Sequence, residues 1–229
     1  MHADKLEQNG GRSQTAAFFD FDNTLIHVDS QGLEIEYLFR QGHLSGKALI
    51  PIVAANFLFK RDLIRADQIV RLCVRIYRGR PAGEPGTWAP QLYATEIRPR
   101  LSAAICSLAR AHQRAGHLLV ILSASLPHLI EPAARELGIR HVICTRLESD
   151  FRGLLTGRTD GPVCVGRYKA ARAIRLAELL GVDLAASYVY TDHHADLPLL
   201  AAVGHPVAVS PTSRLGRSAR QQNWRIIFR

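Results

Sequence analysis

Short apolar runs, each closed by polar or turn-forming positions, alternate along this chain with segments of helical periodicity. Residues 16–22 form the first run, rich in phenylalanine and ending in acidic positions, as a buried strand delivering polar groups at its carboxyl end would. Similar runs at 117–123, 141–147, 187–192 and 206–210 are short, β-branched or aromatic, and bounded by turn residues or a helical pattern. Between them, 99–115, 126–137, 167–180 and 195–203 read as helices, with Gly116, Gly138, Gly181 and Gly204 just past their ends. Strand alternating with helix predicts an α/β fold: a doubly wound, Rossmann-like parallel sheet covered on both faces, binding ligands beyond the strand carboxyl ends.

One stretch breaks the alternation. From residue 31 to about 96 the periodicity is helical and no strand pattern occurs, which predicts a small inserted α-helical cap domain at 31–96. The core domain would then comprise 16–30 and 97–229. Cap helices are expected at 32–41, 45–60, 66–77 and 90–96, with 80–86 as an irregular link. A second interruption at 148–164 contains Arg152-Gly153-Leu154-Leu155-Thr156-Gly157, which reads as a hairpin or flap. Residues 1–15 are polar and glycine-containing, a loose tail rather than a signal peptide.

Composition sharpens this picture without redirecting it. Apolar residues make up 47% and charged residues 21% of the 229, ordinary usage that excludes wholesale disorder. The net charge of +9 comes from arginines spread between Arg12 and Arg229, a field that attracts any anion: a phosphorylated metabolite, an acidic lipid surface or nucleic acid. No aromatic-rich basic stripe or zinc-finger spacing accompanies it, so no nucleic-acid partner is expected. Cys73, Cys106, Cys144 and Cys164 form no C-x-x-C pair and read as core residues in a reducing compartment, with the cytoplasm as the expected location. Residues 48–59 are the most apolar run; they contain Pro51 and Asn56 and fall short of the about 20 residues needed to span a bilayer. Lys60 and Arg61 flank that run, leaving open a buried cap helix or a surface-lying membrane contact.

The chemistry concentrates at strand ends. Asp20 and Asp22 stand two positions apart at the end of the first run, so one turn can present both carboxylates at the same sheet edge. One can attack an electrophile while the other handles protons. A multiply charged phosphoryl group repels a carboxylate nucleophile, so such a site also needs a cation and further donors. Asp192 and Asp196, in Thr191-Asp192-His193-His194-Ala195-Asp196, add carboxylates suited to magnesium, a hard ion that prefers oxygen. Ser123 closes a third strand and Lys169 opens a helix, offering a neutral and a charged donor. Taken alone, the aspartate pair is equally consistent with capping a following helix. Specificity comes from four elements in chain order, each at the expected end of a strand or helix.

In that order and placement the chain resembles the haloacid dehalogenase-like superfamily from about Ala16 onward. Its motifs are Asp20-Phe21-Asp22-Asn23-Thr24, then Ser123 in Ile121-Leu122-Ser123-Ala124-Ser125, then Lys169, then Asp192 with Asp196. The helical insertion directly after the first motif is similar to that of the phosphoserine phosphatase branch. The resemblance implies a phosphoric monoester hydrolase with Asp20 as nucleophile and Asp22 as general acid and base. It implies Mg2+ held by Asp20, Asp192 and the backbone carbonyl of Asp22, with Asp196 ordering metal-bound water. It further implies that Ser123 and Lys169 bind the phosphoryl oxygens of a small phosphorylated metabolite, and that Thr24 orients Asp22.

Some positions depart from that pattern. His193 and His194 follow Asp192 where the superfamily usually has a small residue, and they can pack, meet solvent, touch substrate or bind a transition metal. Ala124-Ser125 replaces paired glycines after Ser123. Asp29 matches an acidic residue that binds the substrate amine, yet can instead cap the first cap helix with Ser30. Arg40, Arg61, Arg65 and Arg71 can each face the site or the solvent. Two other readings remain beside the metabolite phosphatase: a phosphatase of phospholipid head groups, and a non-catalytic anion-binding protein on the same fold. The sequence leaves the oligomeric state open.

Overall fold

The computed structural model describes residues 14–61 and 63–228; most of the expected tail lies outside them. In chain order the strands are β1 (Ala16–Phe19), β2 (Leu118–Ser123), β3 (His141–Cys144), β4 (Leu147–Ser149), β5 (Leu155–Thr159), β6 (Tyr188–Thr191), β7 (His205–Val209) and β8 (Arg225–Ile227). Helices α1 (Ser30–Arg40), α2 (Gly46–Phe59), α3 (Ala66–Cys73) and α4 (Pro85–Leu92) fill the insertion between β1 and β2. They are followed by α5 (Ala103–Arg114), α6 (Pro127–Glu136), α7 (Gly166–Leu180), α8 (Leu197–Leu200) and α9 (Ser213–Gln221).

Six strands make one parallel sheet in the order β3-β2-β1-β6-β7-β8. Strand β1 is central and buried on both faces, which is why its sequence is continuously apolar instead of alternating. Ala17 and Phe19 pack with Ile105, Ala109, Leu129 and Ala133 of α5 and α6. Ala16 and Phe18 point the other way, onto Ala173, Leu199, Leu215 and Ala219 of α7, α8 and α9. Each phenylalanine is at most 1% exposed, a burial that contributes about 2 kcal/mol apiece. These two layers pin the carboxyl end of β1 against its neighbours, where the site is built.

The predicted strand at 141–147 is in fact two. β3 stops at Cys144 because Thr145 turns away, its N–H donating to the Ser125 carbonyl and its hydroxyl accepting from Cys164 N. Leu147 then starts a separate antiparallel hairpin, β4 with β5. The last insertion helix starts at Pro85 rather than 90, since proline fits a first helical turn without losing a bond. The helix expected at 195–203 is shorter, a single tight turn at His194–Asp196 leading into α8.

Entry to and exit from the insertion run side by side. Ile26 bridges Leu101 antiparallel, His27 N donates to Arg100 O, and Ser102 N donates to Leu25 O. Deeper in, Glu34 of α1 is fully buried and accepts from Trp88 Nε1 at 3.0 Å and from the Tyr77 hydroxyl. It also meets His128 Nε2 of α6 at 2.7 Å, tying the insertion to the core. A buried carboxylate is tolerated only when its oxygens are satisfied in this way.

Candidate active site

Strand β1 ends at Phe19, so Asp20 emerges at the sheet edge with extended backbone, its N–H held by Tyr190 O at 2.9 Å. The chain then turns sharply: Asp22 is extended and Asn23 takes φ +53°, a left-handed conformation that asparagine tolerates better than most residues. Leu25 N and Ile26 N close the turn onto Asp20 O and Phe21 O. Both carboxylates therefore project beyond the strand ends. Strands β2 and β6 flank β1 in parallel, so Ser123 and Asp192 arrive at the same edge.

Lys169, in the first turn of α7, is 3% exposed and reaches the floor of this site. Its Nζ lies 2.9 Å from Asp20 Oδ1 and 2.6 Å from Asp196 Oδ2. The Thr191 hydroxyl lies 2.7 Å from Asp196 Oδ2 and 3.3 Å from Asp20 Oδ2, linking the same two acids. Asp22 is fixed from two sides: Ser30 N donates to Oδ1 at 2.7 Å, and the Ser125 hydroxyl donates to Oδ2 at 2.5 Å. Ser30 begins α1 and Ser125 follows β2, and their hydroxyls meet at 2.8 Å. The insertion thus helps to hold Asp22.

A cleft of about 790 Å³ opens here, its floor formed by Asp20, Asp22, Lys169, Asp192 and Asp196. Ser125 lines it, whereas Ser123 is fully buried beneath, its hydroxyl 3.3 Å from Asp22 Oδ2 and accepting from Ser125 N at 3.0 Å. Asp29 lines the cleft and caps α1, accepting from Gln31 N and Gly32 N. The roof is largely apolar, with Ile35, Ile52, Phe59, Ile69 and Val70 beside Asn56. His193 and His194 also line the cleft, and Phe59 stacks on the His193 ring at 5.8 Å.

The four arginines singled out from the insertion sit elsewhere. Arg40 pairs with Glu96, Arg65 with Asp67, Arg61 lies over the Phe57 ring, and Arg71 donates to the Thr159 hydroxyl. Besides Lys169, the lysines and arginines that do line the cleft are Lys60, Arg214 and Arg217. Sequence reasoning missed Arg214 and Arg217 together with Ser30, Ser125 and Thr191. The one signal was the unusual Ser125 after Ser123; nothing local marked the others.

Electrostatics follow from this crowding. Burial pushes Asp20 up to about 7, with Lys169 opposing and Asp196 adding to the rise. Burial and then the charge of Asp29 lift Asp22 to about 6. Asp192 is raised well above the ordinary carboxylate range, by burial first and then by Asp20 and Asp196. For Lys169 burial favours the neutral amine, but Asp196 and Asp20 outweigh it and the ammonium is strengthened.

One ammonium cannot offset all of these acids, so negative charge accumulates at the floor as they ionise. Among the described residues no three His, Cys, Asp or Glu side chains form a metal cage by themselves. The donor set fits a hard dication held by one or two carboxylates that retains water and takes ligands from a bound anion, as Mg2+ does.

Carboxylates whose folded pKa is raised contribute stability below their unfolded value near 4, and lose it as pH rises through about 6 to 7. Without divalent cations, Tm is expected to fall by at least about 5 °C between pH 4.5 and 7.5. Added Mg2+ should restore most of that at pH 7.5 and little at pH 4.5. Calorimetry showing a Tm unaffected by Mg2+ at both pH values would contradict this charge distribution.

Comparison with known proteins adds what geometry alone does not. The family model for haloacid dehalogenase-like hydrolases matches residues 17–201. A phosphoserine phosphatase of Mycobacterium tuberculosis (strain ATCC 25618 / H37Rv) is 30% identical over 216 residues, 92% of this chain and 70% of its own. A histidinol-phosphatase of Neisseria meningitidis serogroup C (strain 8013) is 29% identical over 218 residues, covering 92% of this chain and 97% of its own. Among solved structures, a Bordetella pertussis Tohama I protein of unknown function superposes with a TM-score of 0.83 at 28% identity, covering 94% of this chain and 99% of its own.

Proposed function

Because this chain belongs to the haloacid dehalogenase-like hydrolases and is a phosphoric monoester hydrolase, we propose that it cleaves a small phosphorylated metabolite through an aspartyl-phosphate on Asp20. The observation that carries this reading is Asp20 at the cleft floor, with Lys169 Nζ at 2.9 Å and a second carboxylate, Asp22, two residues on. A carboxylate oxygen of Asp20 attacks phosphorus as the ester bond breaks. Lys169 at 2.9 Å favours Asp20 as the attacking carboxylate, while Asp22, raised by burial, carries the proton that passes to the departing alkoxide. The resulting Asp22 carboxylate then takes a proton from water, which attacks the aspartyl-phosphate and releases phosphate. Atoms and charge balance across both steps.

Lys169 and Ser125, with Ser123 beneath it, are the donors available to the phosphoryl oxygens. Mg2+, when bound by Asp20, Asp192 and the carbonyl of Asp22 with Asp196 beside it, supplies charge neutralisation of the phosphoryl group. Asp29 lines the cleft where it can meet a substrate amine while it caps α1. The insertion at 31–96 acts as a cap that closes the cleft, with Phe59 against His193 at its edge. All four cysteines are free and buried, which suits a reducing compartment and supports a cytoplasmic location.

The proton-transfer role gives the test. An aryl phosphate has a leaving group that departs without protonation, whereas an alkyl phosphate does not. Asp22→Asn is expected to lower kcat for an alkyl phosphate by about 10²–10⁴-fold and to spare the first step with an aryl phosphate. Rapid-quench kinetics should then show acid-stable, protein-bound phosphate accumulating, because hydrolysis still lacks its base. Equal loss of the first step on both esters would remove Asp22 from this role.

A further inference from the structure

Helix α2 has two apolar sides, and only one of them is used. Ile52 and Ala55 are buried, and Ile52, Asn56 and Phe59 face the cleft. On the outer side Leu49, Ile50, Val53, Ala54, Phe57 and Leu58 line a shallow groove. Ile50 is 69% exposed, Val53 65% and Phe57 54%, and Leu63 just beyond is 66% exposed. Scattered exposed apolar residues are ordinary, but a contiguous patch of this kind marks a surface that something else covers.

The charges around the patch indicate what covers it. Lys47 lies in the first turn of α2 and Arg61 just beyond its end, both exposed, while Lys60 between them lines the cleft. The Arg61 guanidinium sits 3.4 Å from the centre of the Phe57 ring, so a cation is fixed at the patch itself. Helix α2 carries no acidic residue, and the chain has a net charge of +9. A second copy docked face to face would set these cations against their own equivalents. An anionic bilayer answers both features at once, taking the apolar side chains at the acyl boundary while its phosphates meet Lys47 and Arg61. The helix is too short to cross, and among the described residues no helix is long and apolar enough to do so.

We propose that the outer face of α2 seats this protein on anionic lipid surfaces, lying in the interface plane. The opposite side of the same helix roofs the cleft, so docking would leave the cleft separated from the lipid surface by the thickness of one helix, about 10 Å. This docking does not depend on the phosphatase chemistry.

Co-sedimentation with vesicles of phosphatidylcholine, alone or mixed equally with phosphatidylglycerol, tests it. The wild-type protein is expected to bind the mixed vesicles, to ignore the neutral ones, and to dissociate as salt rises. Ile50→Glu with Val53→Glu should cut the bound fraction by at least about tenfold, leaving circular dichroism and aryl phosphate turnover unchanged. Absence of binding, or binding that the double variant retains, overturns the proposal. Light scattering that shows a dimer which the variant converts to monomer also overturns it, by assigning the face to a second copy. Vesicle binding without any phosphatase activity would instead reject only the catalytic reading.

Discussion

Replacing Asp20 with asparagine is expected to abolish phosphate release, lowering kcat by on the order of 10⁴-fold or more, and to leave the protein folded. An amide oxygen at the same position keeps the shape of the site but is a poor nucleophile toward phosphorus. Lys169 retains its bond to Asp196 at 2.6 Å, so the floor does not collapse. Stability argues in the same direction. Burial forces Asp20 up to about 7, so a neutral side chain there relieves repulsion with Asp196 and Asp192. Without cation at pH 7.5, the Tm of Asp20→Asn should equal or exceed that of the wild type, and added Mg2+ should raise it less. Steady-state assays and calorimetry on one preparation check both halves. A stable variant that keeps more than about a hundredth of its activity would move the nucleophile elsewhere.

Why so much of this site was readable follows from where its residues lie. A central parallel strand is buried on both faces, so Ala16–Phe19 had to be continuously apolar, and the first polar residues after it had to fall at the carboxyl edge. Asp20 and Asp192 were legible for that reason, and Lys169 because a helix follows the next crossover. What escaped are contacts made across the chain. Ser125 meets Asp22 from 103 residues away and Ser30 from the first turn of the insertion, pairings that no local pattern encodes. The last helix and strand were missed for another reason: α9 buries little beyond Leu215 and Ala219, and β8 has three residues, too few to show a period. Arg214 and Arg217 therefore entered the cleft unannounced.

Lys169 is where stability and chemistry are hardest to separate, and its removal is expected to damage both. Lys169→Met keeps the bulk of the stem but deletes an ammonium that is almost fully buried between Asp20 and Asp196. Breaking a buried pair by removing one partner typically costs about 3–5 kcal/mol, because the other charge stays buried without compensation. Here two acids lose their counter-ion, and Asp192 stands beside them. The folded pKa values of Asp20 and Asp192, already raised by burial, rise further without the ammonium, so the penalty is small below about pH 4 and grows as pH climbs through those values. A Tm deficit that is slight at pH 4.5 and large at pH 7.5 is the expected signature. Adding Asp196→Asn to Lys169→Met removes one stranded charge and should recover a good part of the Tm at pH 7.5. It should not recover activity, because the phosphoryl oxygens would still lack their ammonium. An ordinary solvated lysine would shift stability by less than about 0.5 kcal/mol and show no such pH slope. Thermal melts of the single and double variants across that pH range, paired with phosphate release, distinguish the two cases.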